Sequence, residues 1–274
     1  MQPSVINNRV LPLVKQFYRD NPQIKESHGI KHVMAVYRHT INAIHSQRQG
    51  QSNNDTSNDD NGRPTHVVDQ YAAEIEAAAL LHDVDDSKYF PHNWKTKPNA
   101  KHILQQAGIS SPDRVKLILD MIDWVSTSHN GNTVPETVQK TGNYCWLIPR
   151  WADRLEAVGT RGVLRAYQYS VEHNEKLCSS ASPRATTEEQ VWELAYTGNR
   201  FEACQNGKDS SDMISHYYDK LLHVARPPPS IVQNAYLEEQ AQASAAALVE
   251  VCLRFGRTGK VDEEYIRGLE ASTS

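Results

Sequence analysis

From Ile30 to Ile44 the apolar residues Ile30, Val33, Val36, Tyr37, Ile41 and Ile44 fall on one stripe, each with another three or four positions away. That spacing lines one face of an α-helix. The same steps recur in Val115, Ile118, Leu119, Ile122 and Val125, behind a Ser-Pro-Asp segment suited to a helix start. They recur again from Ile231 to Leu253, a long stretch rich in Ala, Leu, Glu and Gln that is reached through Pro227-Pro228-Pro229. Clean period-two alternation is hard to find, and no internal repeat is evident. The pattern predicts an all-α fold.

Polar segments punctuate the helical ones. Ser46 to Thr65 is rich in Gln, Asn, Ser, Asp and Gly, a composition that cannot offset its own ordering entropy, and it predicts a flexible insertion at 46–65. Ser179 to Thr187 and Gln205 to Ser211 read as further loops. A net charge of -4 and a pI near 6.3 argue against a large nucleic-acid surface, which carries a basic footprint. Cys145, Cys178, Cys204 and Cys252 are scattered and form no CxxC pair, which suits a reducing compartment. The first residues lack the basic start and apolar stretch of a signal peptide, and no apolar run approaches the ~18 residues that span a bilayer. The expectation is a cytoplasmic protein with no membrane partner.

Chemistry concentrates in the run Ala-Ala-Ala-Leu-Leu-His-Asp-Val-Asp-Asp-Ser-Lys from Ala77 to Lys88. An imidazole and a carboxylate, His82 and Asp83, close an apolar helix that begins near Asp69, and buried polar groups must find partners. A divalent metal ion satisfies both. His32 opens the first apolar stripe, with His28 one helical turn before it, and Asp153 sits in Trp-Ala-Asp-Arg-Leu-Glu-Ala-Val-Gly, where Ala152, Leu155 and Val158 supply the apolar face. Three helices can thus bring their polar ends to one point. Two imidazoles and two carboxylates, with no thiolate, favour Mn, Fe, Zn, Ni or Co over Ca and argue against a structural zinc site.

The order His, His-Asp, Asp resembles the signature of the HD superfamily of metal-dependent phosphohydrolases, and more narrowly its bacterial nucleotide pyrophosphohydrolase group. Four stretches carry the likeness: Ser27 to Val36, Leu80 to Lys88, Asp153 to Gly162, and His216-Tyr217-Tyr218-Asp219-Lys220-Leu221-Leu222. It spans roughly residues 10 to 255, interrupted by the 46–65 insertion. The resemblance implies a single domain over 1–274, an HD-type helical bundle with a C-terminal helical extension and a tail at 256–274. The metal ligands it implies are His32, His82, Asp83 and Asp153, holding a divalent ion, with Mn or Mg ahead of Fe, Co, Ni or Zn. The chain departs from the group at three places: Gly29 replaces an Asp, Ala35 an Arg, and Trp151 a common acidic residue.

In such enzymes an acidic residue three places past the HD aspartate orients or deprotonates the attacking water, and Asp86 holds that position. Lys88, on the same turn, can neutralise a phosphate as a point charge. Lys220, Arg165, His28 and Tyr217 are candidate substrate contacts, and Tyr89 or Trp94 could stack on a base. The expected partner is a small phosphorylated substrate, a nucleotide, attacked by metal-activated water. A rival reading is a dinuclear HD-fold phosphodiesterase or diiron oxygenase that recruits His102 and His129. A third is a non-catalytic helical scaffold, although all four principal ligands are present.

Overall fold

The computed structural model describes residues 7–25, 28–51 and 67–271. These form helices and turns, with no strand among them, as the apolar spacing predicts. The helices gather into two compact units, Met1–Asp153 with Pro229–Leu237, and Arg154–Pro228 with Glu238–Ser274. No helix among the described residues is long and apolar enough to cross a membrane.

The first unit runs through α1 (Asn7–Asp20), α2 (Ile30–Gln51), α3 (Val67–Leu81), α4 (Pro98–Gln106), α5 (Pro112–Val125), and the short α6 (Thr127–Asn130) and α7 (Glu136–Thr141). A 3-10 turn, Tyr144–Leu147, leads into α8 (Ile148–Ala157), which crosses into the second unit after Asp153. The organising element is α3. It exposes Val67, Asp69 and Gln70 at its start and is buried throughout from Glu74 and Ile75 to the run Ala77-Ala78-Ala79-Leu80-Leu81. Helices α1, α2 and α5 all pack on it, and its alanines give them room. Its two buried acids are both partnered. Glu74 pairs with Arg114, and Glu76 accepts from the Tyr37 hydroxyl at 3.2 Å.

Helix α2 buries Val33, Val36 and Ile44 as its stripe requires. It continues beyond the point where a loop is expected. Residues 46–51 are helical, and only 52–65 of the expected insertion lie outside the described residues. Gln and Arg are good helix formers, and Arg48 ties this extra turn to Asp69 at 2.6 Å.

The second unit holds α9 (Gly159–Glu172), α10 (Glu188–Tyr196), α11 (Arg200–Gln205), α12 (Met213–His216), a π-helical turn (Tyr217–Leu221) and α13 (Leu222–Ala225). The chain then returns to the first unit as α14 (Pro229–Val232) and continues through α15 (Ala235–Thr258) to α16 (Glu263–Ala271). The apolar pattern that begins at Ile231 is not one helix. It breaks at Gln233, whose φ is 50°, and restarts at Asn234, whose side chain accepts from the Leu237 amide and donates to the Ala43 carbonyl. Val163, Ile214, Tyr218, Leu222, Leu248 and Cys252 form the core of this unit. Ile266 joins them, so much of the expected tail at 256–274 is a packed helix. Gly162 is required where α8 meets α9, since a Cβ there would collide with the Ala157 carbonyl.

Candidate metal centre

Three of the four candidate ligands are set by the end or first turn of a helix, and the fourth by a helix interior. His32 lies in the first turn of α2, His82 and Asp83 directly follow α3, and Asp153 lies in α8. The Nε2 atoms of His32 and His82 are 3.1 Å apart. Asp153 Oδ1 is 3.2 Å from His32 Nε2 and 3.6 Å from His82 Nε2. Asp83 Oδ2 is 3.5 Å from each imidazole nitrogen. Donors ~2.1 Å from a common ion stand roughly 3.0 to 3.4 Å apart, depending on the bond angle. Two of the observed spacings fall in that range and the other three lie within 0.2 Å of it. Asp83 Oδ2 is also buried without a hydrogen-bond partner, a costly state for a carboxylate oxygen that a cation relieves. The residues fit a divalent metal ion.

The imidazole orientations are built in. His82 Nδ1 lies 2.8 Å from the Ala79 carbonyl one turn back in α3, so it donates there and Nε2 is aimed at the cluster. Burial alone would lower the pKa of His82, yet the Asp83 and Asp153 carboxylates and the Ala79 carbonyl raise it to about 9. Burial would raise that of Asp153, but hydrogen bonds to His32 and His82 hold it well below the usual carboxylate range. The cluster therefore concentrates negative charge around two nitrogens, which is a cation-binding arrangement.

The turns after α3 separate the two neighbouring carboxylates of the Val-Asp-Asp segment. Asp85 points into the fold and accepts the amides of Asn99 and Ala100 at 3.1 and 2.9 Å, capping α4. Asp86 faces the site. Its Oδ1 accepts the Lys88 amide at 2.8 Å, and its Oδ2 lies 3.8 Å from His28 Nε2. His28 sits in the turn before α2 and not within the helix, with its ring 6.3 Å from that of His32. Lys88 Nζ donates to His28 Nε2 at 2.8 Å, and Tyr89 meets the His28 ring edge-on.

One neighbour carries no sequence signal. Tyr18 of α1 has a buried hydroxyl with no hydrogen-bond partner, and burial together with Asp83 and Asp86 pushes its pKa well above the ordinary value. It sits in an unremarkable stripe with Val10 and Val14.

Other candidates lie elsewhere. His102 is exposed on α4. His129 stacks on Trp94 with rings 5.2 Å apart and bonds to Ser126. Among the described residues, neither belongs to a group of potential metal donors. Ala35 and Trp151 are buried. Arg150, three places before Asp153, is buried beneath the carbonyls of Trp124 and Thr133, and burial lowers its pKa to about 10. Arg165, Lys220 and Tyr217 belong to the second unit. Arg165 is on α9, and Lys220 and Tyr217 lie in the π-helical turn, Tyr217 fully buried.

No family model matches the chain. It is 31% identical over 240 residues to the uncharacterized protein L803 of Acanthamoeba polyphaga mimivirus, covering 83% of this chain and 88% of that protein. Its fold is similar to that of a Lactobacillus plantarum protein, with a TM-score of 0.57, 20% identity, and coverage of 94% of this chain and 98% of that one. An HD-superfamily hydrolase from Bacillus thuringiensis matches with a TM-score of 0.53 and 16% identity, over 91% and 96% of the two chains. This chain belongs to the family of the mimivirus protein, and its helical architecture is similar to that of the two solved structures.

Proposed function

We propose that the chain is a metal-dependent phosphohydrolase in which His32, His82, Asp83 and Asp153 hold one divalent ion. The observation that carries this reading is that the His32 and His82 Nε2 atoms lie 3.1 Å apart with a carboxylate oxygen of Asp83 and one of Asp153 each within 3.2 to 3.6 Å of both. A divalent ion at that point supplies Lewis acidity toward a phosphoryl oxygen and toward water. Four protein donors leave coordination positions open on an octahedral ion.

The chain's own groups then divide the remaining work. Asp86 Oδ2 orients the attacking water and accepts its proton. Lys88 neutralises a phosphate oxygen as a compact charge, with His28 holding its ammonium in place. The substrate is a nucleotide or a related phosphate ester, with a nucleoside triphosphate cleaved to the monophosphate and pyrophosphate as the specific form. The likeness of Ser27 to Val36, Leu80 to Lys88 and Asp153 to Gly162 to the pyrophosphohydrolase group supports that choice.

Purified protein with Mn, Mg, Co or Ni, assayed against nucleoside mono-, di- and triphosphates, tests the proposal. Metal-dependent turnover that releases pyrophosphate is the expected result. Full activity in Asp83→Ala would sink it.

A further inference from the structure

Beside the four-donor cluster a second set of metal-type donors converges. Donor atoms of His28, Asp83 and Asp86 all lie within 4.8 Å of one another. Asp83 belongs to both sets, and a carboxylate shared in this way is what bridges the ions of a two-metal centre. The side chains of His28 and Asp86 are only 14% and 16% exposed. Tyr18, with its unpartnered buried hydroxyl, is close enough to feel the charge of both aspartates. By donor type and spacing the chain offers two adjoining cation positions.

A cation already stands at the His28 edge of the second position. Lys88 Nζ donates to His28 Nε2 at 2.8 Å, which engages the lone pair an ion would need. The Lys88 backbone is fastened by its amide to Asp86 Oδ1 at 2.8 Å, so one of the potential ligands also fixes the residue that carries the ammonium. A lysine ammonium is a compact point charge with three donors and no requirement for a coordination geometry. It can therefore offset the carboxylate charge here and still face a substrate.

We propose that the Lys88 ammonium stands in place of a second metal ion in the His28–Asp83–Asp86 pocket, so that the centre loads a single divalent ion. His28 is then a positioning residue that acts through Lys88 and is not a ligand. The inference rests on the reading of His32, His82, Asp83 and Asp153 as a metal centre.

Metal stoichiometry tests it without reference to turnover. Metal-free protein is dialysed against Mn2+ alone, and bound manganese per chain is measured by elemental analysis and electron paramagnetic resonance. Wild type is expected to bind one ion with the spectrum of an isolated Mn2+. Lys88→Met is expected to bind two, with the spin-coupled spectrum of a carboxylate-bridged pair. Lys88→Met combined with His28→Ala should return to one, and Lys88→Arg, which keeps the charge, should remain at one. Two ions in wild type, one in Lys88→Met, or two in Lys88→Arg overturns the proposal. No bound ion in wild type overturns the metal-centre reading itself, and this inference with it. The Lys88 side chain is exposed, so its replacement should leave the helical circular dichroism unchanged.

Discussion

His32 Nε2 and His82 Nε2 lie 3.1 Å apart although fifty residues separate them in the chain. Two imidazole nitrogens this close, flanked by two carboxylates, compete for one proton or share one cation. A ligand that binds the folded state alone stabilises it, by about 2.7 kcal/mol at roughly 100 times its dissociation constant. Manganese should therefore raise the melting temperature of the wild type by several degrees in scanning calorimetry. The same addition should leave Asp83→Ala unmoved.

Asp86 lies at the rim of the cluster and not within its four donors, so its loss should spare metal binding. Asp86→Asn should keep the manganese affinity of wild type and lower kcat by about 100-fold or more, the usual contribution of a positioned general base. Calorimetric titration gives the first quantity and steady-state kinetics the second. Unchanged kcat in this variant removes Asp86 from the mechanism.

Asp85 should behave in the opposite sense to its neighbour. It accepts two amides at the start of α4, and removal of a helix cap costs about 1 to 2 kcal/mol. Urea denaturation of Asp85→Ala should show that loss, with one manganese still bound per chain. Equal stability in wild type and variant contradicts the capping role.

In the second unit, burial and then the Lys220 ammonium lower the pKa of His216 from 6.5 to about 4, against the opposing charge of Asp219. The unfolded chain takes up a proton between those values that the folded chain refuses, so stability is complete above pH 6.5 and declines as pH falls toward 4. This one group accounts for about 2 kcal/mol of the decline, after allowance for its partial exposure. His216→Gln should flatten the stability profile over that interval. A profile identical to wild type excludes His216 as its source.

Helix α15 crosses the backbone of Ala185 at Gly256, where a Cβ would overlap the Ala185 carbonyl. Arg184 also donates to the Gly256 carbonyl at 2.8 Å, so the two segments cannot easily move apart. Overpacking of this kind costs about 1 to 3 kcal/mol or more. Gly256→Ala should unfold at correspondingly lower urea; a midpoint equal to wild type would falsify the close approach.

The helices were legible because burial of one face imposes a period, and the stripes of α2 and α5 show it plainly. The four converging donors were legible for a related reason, since polar groups such as His82 and Asp83 are conspicuous beside an apolar run. Tyr18 was not, because an aromatic residue in a stripe with Val10 and Val14 is what any packed helix contains. The division of labour between Asp85 and Asp86 was also hidden. Adjacent carboxylates have the same composition, and only the winding of the turn after α3 sends one toward α4 and the other toward His28. The break at Gln233-Asn234 escaped notice because apolar residues on both sides keep helical spacing across it.

Helix α3 is buried throughout from Glu74 to Leu81 and delivers His82 and Asp83 at its end. Its amides should exchange with solvent hydrogen only when the unit opens as a whole. His28 and Lys88, on turns at the surface, should exchange through small local openings. The buried side of the cluster then shares the kinetic lifetime of the fold itself, while its rim can rearrange many times during that lifetime.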